Sequence, residues 1–211
     1  MLLSYYRKRR KLVITMNWTI PGTVLTIPRE DAAHVAEQFR AMFLAGGMTL
    51  SQISAITGLE SYTIQNWVKR GFLTAPVNKR YTLRQLCRII HINMLKGTLP
   101  LERICSLLGY VNGQLDNEQD DMIDDSQLYF MFVDLAARSK ELYNTQSRES
   151  VLEEALANYQ EPVPGAKARV KQTLRIMLTA WLAARMTQEA EKMLNQLPKN
   201  QETDHYKERN V

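Results

Sequence analysis

Cysteine and histidine are scarce in this 211-residue chain, and each scarcity excludes something. Two cysteines, Cys87 and Cys105, are too few for a disulfide framework and suit a reducing compartment, so a cytoplasmic location is expected. The three histidines, His34, His91 and His205, are scattered, and neither a G-x-S-x-G nucleophile motif nor a phosphate loop accompanies them. Nothing therefore argues for catalysis, no catalytic residue is assigned, and neither an enzyme nor a cofactor is expected. Long apolar runs are missing as well. The best candidate, Ile176 to Ala184, is nine residues between Arg175 and Arg185, far short of a membrane span, so no membrane partner is expected. Strand-like alternation is nearly absent and nothing repeats at a fixed period. What is present is 45% hydrophobic and 23% charged residues, enough to build a core and too much for wholesale disorder.

The net charge of +5 is unevenly placed. Arg7, Lys8, Arg9, Arg10 and Lys11 supply all of it, and the rest of the chain balances 22 bases against 22 acids. Residues 50–105 hold eight bases against Glu60 and Glu102, a local excess of six. Residues 106–135 hold seven acids and no base. A basic segment followed by an acidic one suggests a surface that meets an anion, with the acids kept elsewhere.

Residues 1–28 read as a flexible basic tail, with Met16 as an alternative start of translation. A helical pattern over 29–45 ends at Gly46-Gly47. Short segments then follow as far as Gly109, and residues 111–127 read as an acidic linker. Helical patterns over 128–142, 148–159 and 166–197 form a C-terminal helical region, 128–198, before a polar tail, 199–211.

The informative stretch begins at Leu50. Leu50, Ile53, Ile56 and Leu59 make one face of a short helix, and Gly58 supplies a left-handed stop. A second helix runs from Glu60 to Arg70, with Ile64, Trp67 and Val68 inward and Tyr62, Gln65, Asn66 and Lys69 outward. Two short helices around a glycine make the helix-turn-helix pattern, and amide and basic side chains are those that read base edges and phosphates. Residues 74–81, with a turn at Pro76 to Asn78, read as a short wing. Thr82 then caps a helix carrying Arg84 and Arg88 on one face, where phosphate contact is one reading and a solvated face the other.

This order resembles the DNA-binding domain of MerR-type winged-helix regulators. The matching residues are Thr63-Ile64-Gln65-Asn66-Trp67, Gly71-Phe72-Leu73, Lys79-Arg80-Tyr81-Thr82 and Leu99-Pro100-Leu101-Glu102-Arg103-Ile104. Gln65 and Asn66 stand where that family usually has arginine and tyrosine, and the long dimerisation helix directly after the domain is missing. The whole chain resembles a family from Gram-positive bacteria, without an established activity, that joins such a domain to a helical C-terminal region. The resemblance implies a mainly α protein with a MerR-like winged helix-turn-helix domain over residues 29–110. It implies a transcription regulator that binds double-stranded DNA through Ser61, Tyr62, Thr63, Gln65, Asn66, Lys69, Arg70, Lys79, Arg80, Tyr81 and Arg84. It names no operator and no small-molecule effector.

Other readings are weaker. Cys87 and His91 are four apart and Cys105 is near in sequence, yet a zinc site needs three or four ligands, so no metal is expected. The acids of 106–135 lack the order of a calcium loop and read as a solvated linker. Helix-turn-helix readers usually double their site by two-fold symmetry, so a homodimer is expected, with Met177 and Trp181 at its seam. The alternative function is a protein-interaction module that keeps the winged-helix shape and offers its basic face to an acidic partner.

Overall fold

The computed structural model describes residues 17–117, 119–138, 142 and 144–197; residues 1–16 and 198–211, including most of the expected tails, lie outside them. The described chain is mainly helical. A hairpin of β1 (Asn17–Thr19) and β2 (Thr26–Pro28) pairs antiparallel with Trp18 opposite Ile27. A 3-10 turn, Arg29–His34, leads into α1 (Val35–Met42). Then come α2 (Leu50–Thr57), α3 (Ser61–Lys69), α4 (Leu83–Leu95) and α5 (Leu101–Asn112). The C-terminal region supplies α6 (Asp125–Ala137), α7 (Thr145–Ala155) and α8 (Ala166–Asn195).

Local chemistry explains most of these boundaries. Thr49 with Gln52 and Thr82 with Gln85 form reciprocal capping boxes that start α2 and α4. The Asp124 and Asn144 side chains accept backbone N–H groups at the starts of α6 and α7. Nine of the thirteen residues of α4 are buried, from Leu86 through Leu95, and a helix covered nearly all round is the centre of its fold. Phe39 of α1 packs against Tyr129 and Phe130 of α6, and Tyr129 meets His91 of α4 edge-on at 5.7 Å. Phe132 meets Trp181 of α8 edge-to-face at 5.8 Å.

Three expectations are corrected. Residues 17–28 are not tail: Trp18 and Ile20 are buried, and the Tyr129 hydroxyl donates to the Pro21 carbonyl at 2.9 Å. Asn93 Nδ2 donates to the carbonyls of Gly22 and Thr57 and so ties the hairpin to α2. Gly22, at φ +73°, lies so close to α4 that a Cβ would come within 2.7 Å of the Ile90 carbonyl oxygen.

The acidic segment 111–127 is not a solvated spacer. Val111 and Asn112 finish α5, Ile123 is buried, and the Met122 N–H donates to the Val111 carbonyl at 2.7 Å. The Tyr159 hydroxyl also donates to the Met122 carbonyl. One continuous core therefore runs from Trp18 to Leu182 across what reads in sequence as two units.

Finally, Met177 and Trp181 are buried within their own chain, where the stripe Val170, Leu174, Met177, Leu178 packs inward. They are unavailable as a dimer seam because the intramolecular core already covers them.

Candidate functional site

The outward face of α3 and the segment after it converge on one cleft. Gly58, in the left-handed region at φ +69°, turns the chain between α2 and α3, and the hydroxyls of Ser54 and Ser61 share a hydrogen bond of 3.0 Å across the turn. Ile64 and Trp67 bury one face of α3, with the Lys96 ammonium 6.0 Å above the Trp67 ring. The opposite face carries Tyr62, 70% exposed, together with the exposed Gln65, Asn66 and Lys69.

Beyond α3 the chain forms a tight two-residue turn between Val77 and Arg80, closed by the Arg80 N–H to Val77 carbonyl bond at 2.8 Å. Both central residues, Asn78 and Lys79, have positive φ, 50° and 60°, the geometry of a type I′ hairpin turn. Asparagine tolerates that region; lysine does so at some cost, and its side chain is held at the exposed tip. Tyr81 pairs with Met48 through two backbone hydrogen bonds, of 2.9 and 2.7 Å, which fasten this turn to the segment leading into α2. Arg80 Nη1 donates to the Gly47 carbonyl at 3.3 Å.

Between α2, α3 and the turn lies a cleft of about 530 Å³. Gln65 and Val68 line one wall, Pro76 and Lys79 the other, and Thr49, Leu50, Ser51 and Tyr81 the remainder; none of these residues is acidic. The structure thus brings together Gln65, Lys79 and Tyr81 from the sequence-based set, with Asn66, Lys69 and Arg80 exposed on the same elements. Ser61 and Thr63 are half-buried.

Three members of the set are differently engaged. Tyr81 is buried, and desolvation pushes its hydroxyl above the usual pKa, so it belongs to the cleft lining rather than to an exposed surface. Arg70 stays exposed but bridges to Glu102 at 2.6 Å and stacks over Phe72 at 4.6 Å. Arg84 is drawn into the acidic segment, with Nη1 2.6 Å from Asp121 Oδ2 and 3.8 Å from Asp124, which removes it from the α3 face. Thr49 and Ser51, at the start of α2, are cleft residues missing from the expected set. Their signal was the Thr-x-x-Gln capping box, which marks a helix end with exposed N–H groups.

The acids balance a buried basic patch. Asp125 is 1% exposed and Arg88 7%, with Arg88 Nη1 3.3 Å from Asp125 Oδ2 and the Arg88 Nε–H donating to the Phe72 carbonyl at 3.1 Å. His91 Nδ1 lies 3.5 Å from Asp125 Oδ1. Burial alone would raise the Asp125 pKa, but His91, Arg88 and Arg84 together hold it below the usual carboxylate range. At Asp121 burial prevails over the Arg84 contact and lifts the carboxyl above that range. Arg88 thereby joins the start of α6 to the loop that follows α3. Cys87 is buried with its thiol pushed well up by desolvation, and among the described residues no three histidine, cysteine or acidic side chains are grouped to hold a metal ion.

Comparison with known proteins gives one family match. Residues 45–132 match a domain of unknown function (DUF1836). The match begins just before α2, takes in the cleft, α4, α5 and the acidic segment, and ends inside α6. Similarity to that domain therefore spans both the cleft and the Arg88–Asp125 junction. No curated protein and no solved structure matches the chain. Among the described residues no helix is long and apolar enough to cross a membrane.

Proposed function

We propose that the chain is a sequence-specific, double-stranded-DNA-binding transcription regulator of the MerR-like winged helix-turn-helix kind. In this reading α2 and α3 are the helix-turn-helix, α3 is the reading helix, and residues 74–81 are a short wing. The observation that carries it is the cleft in which Gln65 of α3 faces Lys79 of the hairpin turn with no acid between them. Gln65 and Asn66 suit adenine edges, Lys69 suits guanine or phosphate, and Lys79 and Arg80 suit the backbone beside the groove. The pairing of Arg84 and Arg88 with Asp121 and Asp125 supports it indirectly, because the acids are neutralised away from the α3 face. Such a regulator acts in the cytoplasm on the chromosome and has no catalytic step.

The test is a pair of substitutions on a duplex selected from random sequence. Gln65→Ala should weaken the selected duplex by about 1–3 kcal/mol and relax preference at one base position. Arg80→Ala should weaken all duplexes alike and flatten the salt dependence. If both variants bind as the parent does, α3 and the turn do not face DNA.

A second reading draws on the apolar lining of the same cleft, Leu50, Val68, Pro76 and Tyr81, beside the exposed Tyr62 and Val77. On that reading the cleft takes an acidic peptide with apolar anchors, and duplex selection returns no enriched sequence.

A further inference from the structure

Helix α8 carries two apolar stripes, and the fold uses one of them. Val170, Leu174, Met177 and Trp181 pack inward, and burial stops at Leu182. Beyond that point Met186, Met193, Leu194 and Leu197 stand between 59% and 67% exposed. Isolated exposed apolar residues need no explanation, but these are not isolated. Ala183, Met186, Ala190, Met193 and Leu197 recur at intervals of three, four, three and four residues, all of them exposed. The same spacing continues backwards through Thr179 to Ile176. It is the heptad spacing of a two-helix seam, sustained on the helix from Ile176 to Met193, about two and a half heptads, with Leu197 just past the helix end. At about 100° per residue it lies roughly 170° round the helix from the inward stripe. Its upper part opens on a shallow depression of about 360 Å³, where Leu99 and Thr98 stand beside Ile176, Ala180 and Ala183.

We infer that this second stripe is the seam of a two-fold homodimer, in which α8 of one protomer packs on α8 of its partner. Three observations select a second copy as the occupant. The heptad is continuous, so an identical helix supplies matching knobs and holes along its whole length. Alanines at 183 and 190 fall in one row of the heptad and methionines at 186 and 193 in the other, so in a parallel, in-register pair each row meets its own copy, with the flexible methionines filling the space between close-packed alanines. The residues bordering the seam include Arg175, Thr187, Glu189, Leu194 and Gln196, two charges of opposite sign per copy, and Arg175 is already bridged to Glu149, while Arg185, Glu191 and Lys192 lie outside the stripe. Self-association therefore brings few like charges together. This seam lies apart from the cleft and from Met177 and Trp181, and it stands whether or not the cleft binds DNA.

Sedimentation of the full chain at tens of micromolar should give twice the 24.4 kDa chain mass. The doubly substituted variant Met186→Glu, Met193→Glu should sediment at 24.4 kDa with an unchanged helical spectrum, and Lys192→Glu should remain a dimer. In a Cys105→Ser background, Ala190→Cys should cross-link to itself under mild oxidation, a readout that adds no charge to the seam. A parent mass of 24.4 kDa throughout overturns the inference. So does a dimer that survives the double substitution, or an Ala190→Cys variant that does not cross-link.

Discussion

Removing the Asp125 carboxylate should destabilise the fold more than its place at the start of a helix suggests. In Asp125→Ala, Arg88 keeps the Phe72 carbonyl but loses the Asp125 carboxylate 3.3 Å away, at a site where the arginine is 7% exposed. At 3.3 Å and an effective dielectric constant near 20, the lost attraction is about 5 kcal/mol gross. Desolvation of the two ions in the folded protein offsets most of that, so the intact pair is worth little net. Taking away one partner leaves the desolvation of the other uncompensated, and the expected loss is about 3–5 kcal/mol. Arg88→Met together with Asp125→Ala should recover much of this, because no unpaired charge then remains. The assay is urea unfolding at neutral pH of the parent, both single variants and the double variant, read as a double-mutant cycle. The pH dependence has a definite sign. The folded-state pKa of Asp125 lies below the unfolded value near 3.9, so its stabilisation is complete above that pH and disappears as pH falls through the folded-state pKa. The gap between parent and Asp125→Ala should therefore close in acid. A single-variant loss under about 1 kcal/mol at neutral pH, or no coupling in the cycle, would refute the reasoning.

Trp67→Ala should cost about 3–5 kcal/mol in the same unfolding assay, since the indole is buried on the inward face of α3 with the Lys96 ammonium over its ring; a loss within about 0.5 kcal/mol would contradict its burial. The Arg175 side chain, with help from Lys171, holds the Glu149 carboxyl down to about 2 and joins α7 to α8. An NMR titration should show Glu149 still ionised at pH 3, with its contribution lost as pH falls below the unfolded carboxylate value near 4.3 towards 2; an ordinary midpoint would contradict the bridge.

The parts legible in the sequence are those where one local signal decides. The spacing of Leu50, Ile53 and Ile56, the stop at Gly58, and the spacing of Ile64 and Trp67 place α2 and α3 to within a residue or two. The turn at Pro76 to Asn78 was also legible, although the positive φ of Lys79 was not, because lysine is an unusual residue for that turn. The hairpin of residues 17–28 was missed because each strand is three residues long, too short for alternation to register, and only contact with Tyr129 and Asn93 holds it. The acidic segment was misread because a run of charges looks solvated when taken alone. Arg84, Arg88 and His91 share one helix face at intervals of four and three, and a buried basic face needs counter-charges, which Asp121 and Asp125 bring from more than thirty residues away. Met177 and Trp181 show a further limit: an apolar stripe tells that a face is covered, not whether its own chain or a second copy covers it.

The most direct measurement is a titration of the full chain against a duplex selected from random sequence and against its scrambled counterpart, at two salt concentrations. DNA reading through α3 predicts tighter binding to the selected duplex by on the order of 10³-fold or more, with affinity for both falling as salt rises. Equal affinity for the two duplexes, or no binding to either at low salt, would contradict it.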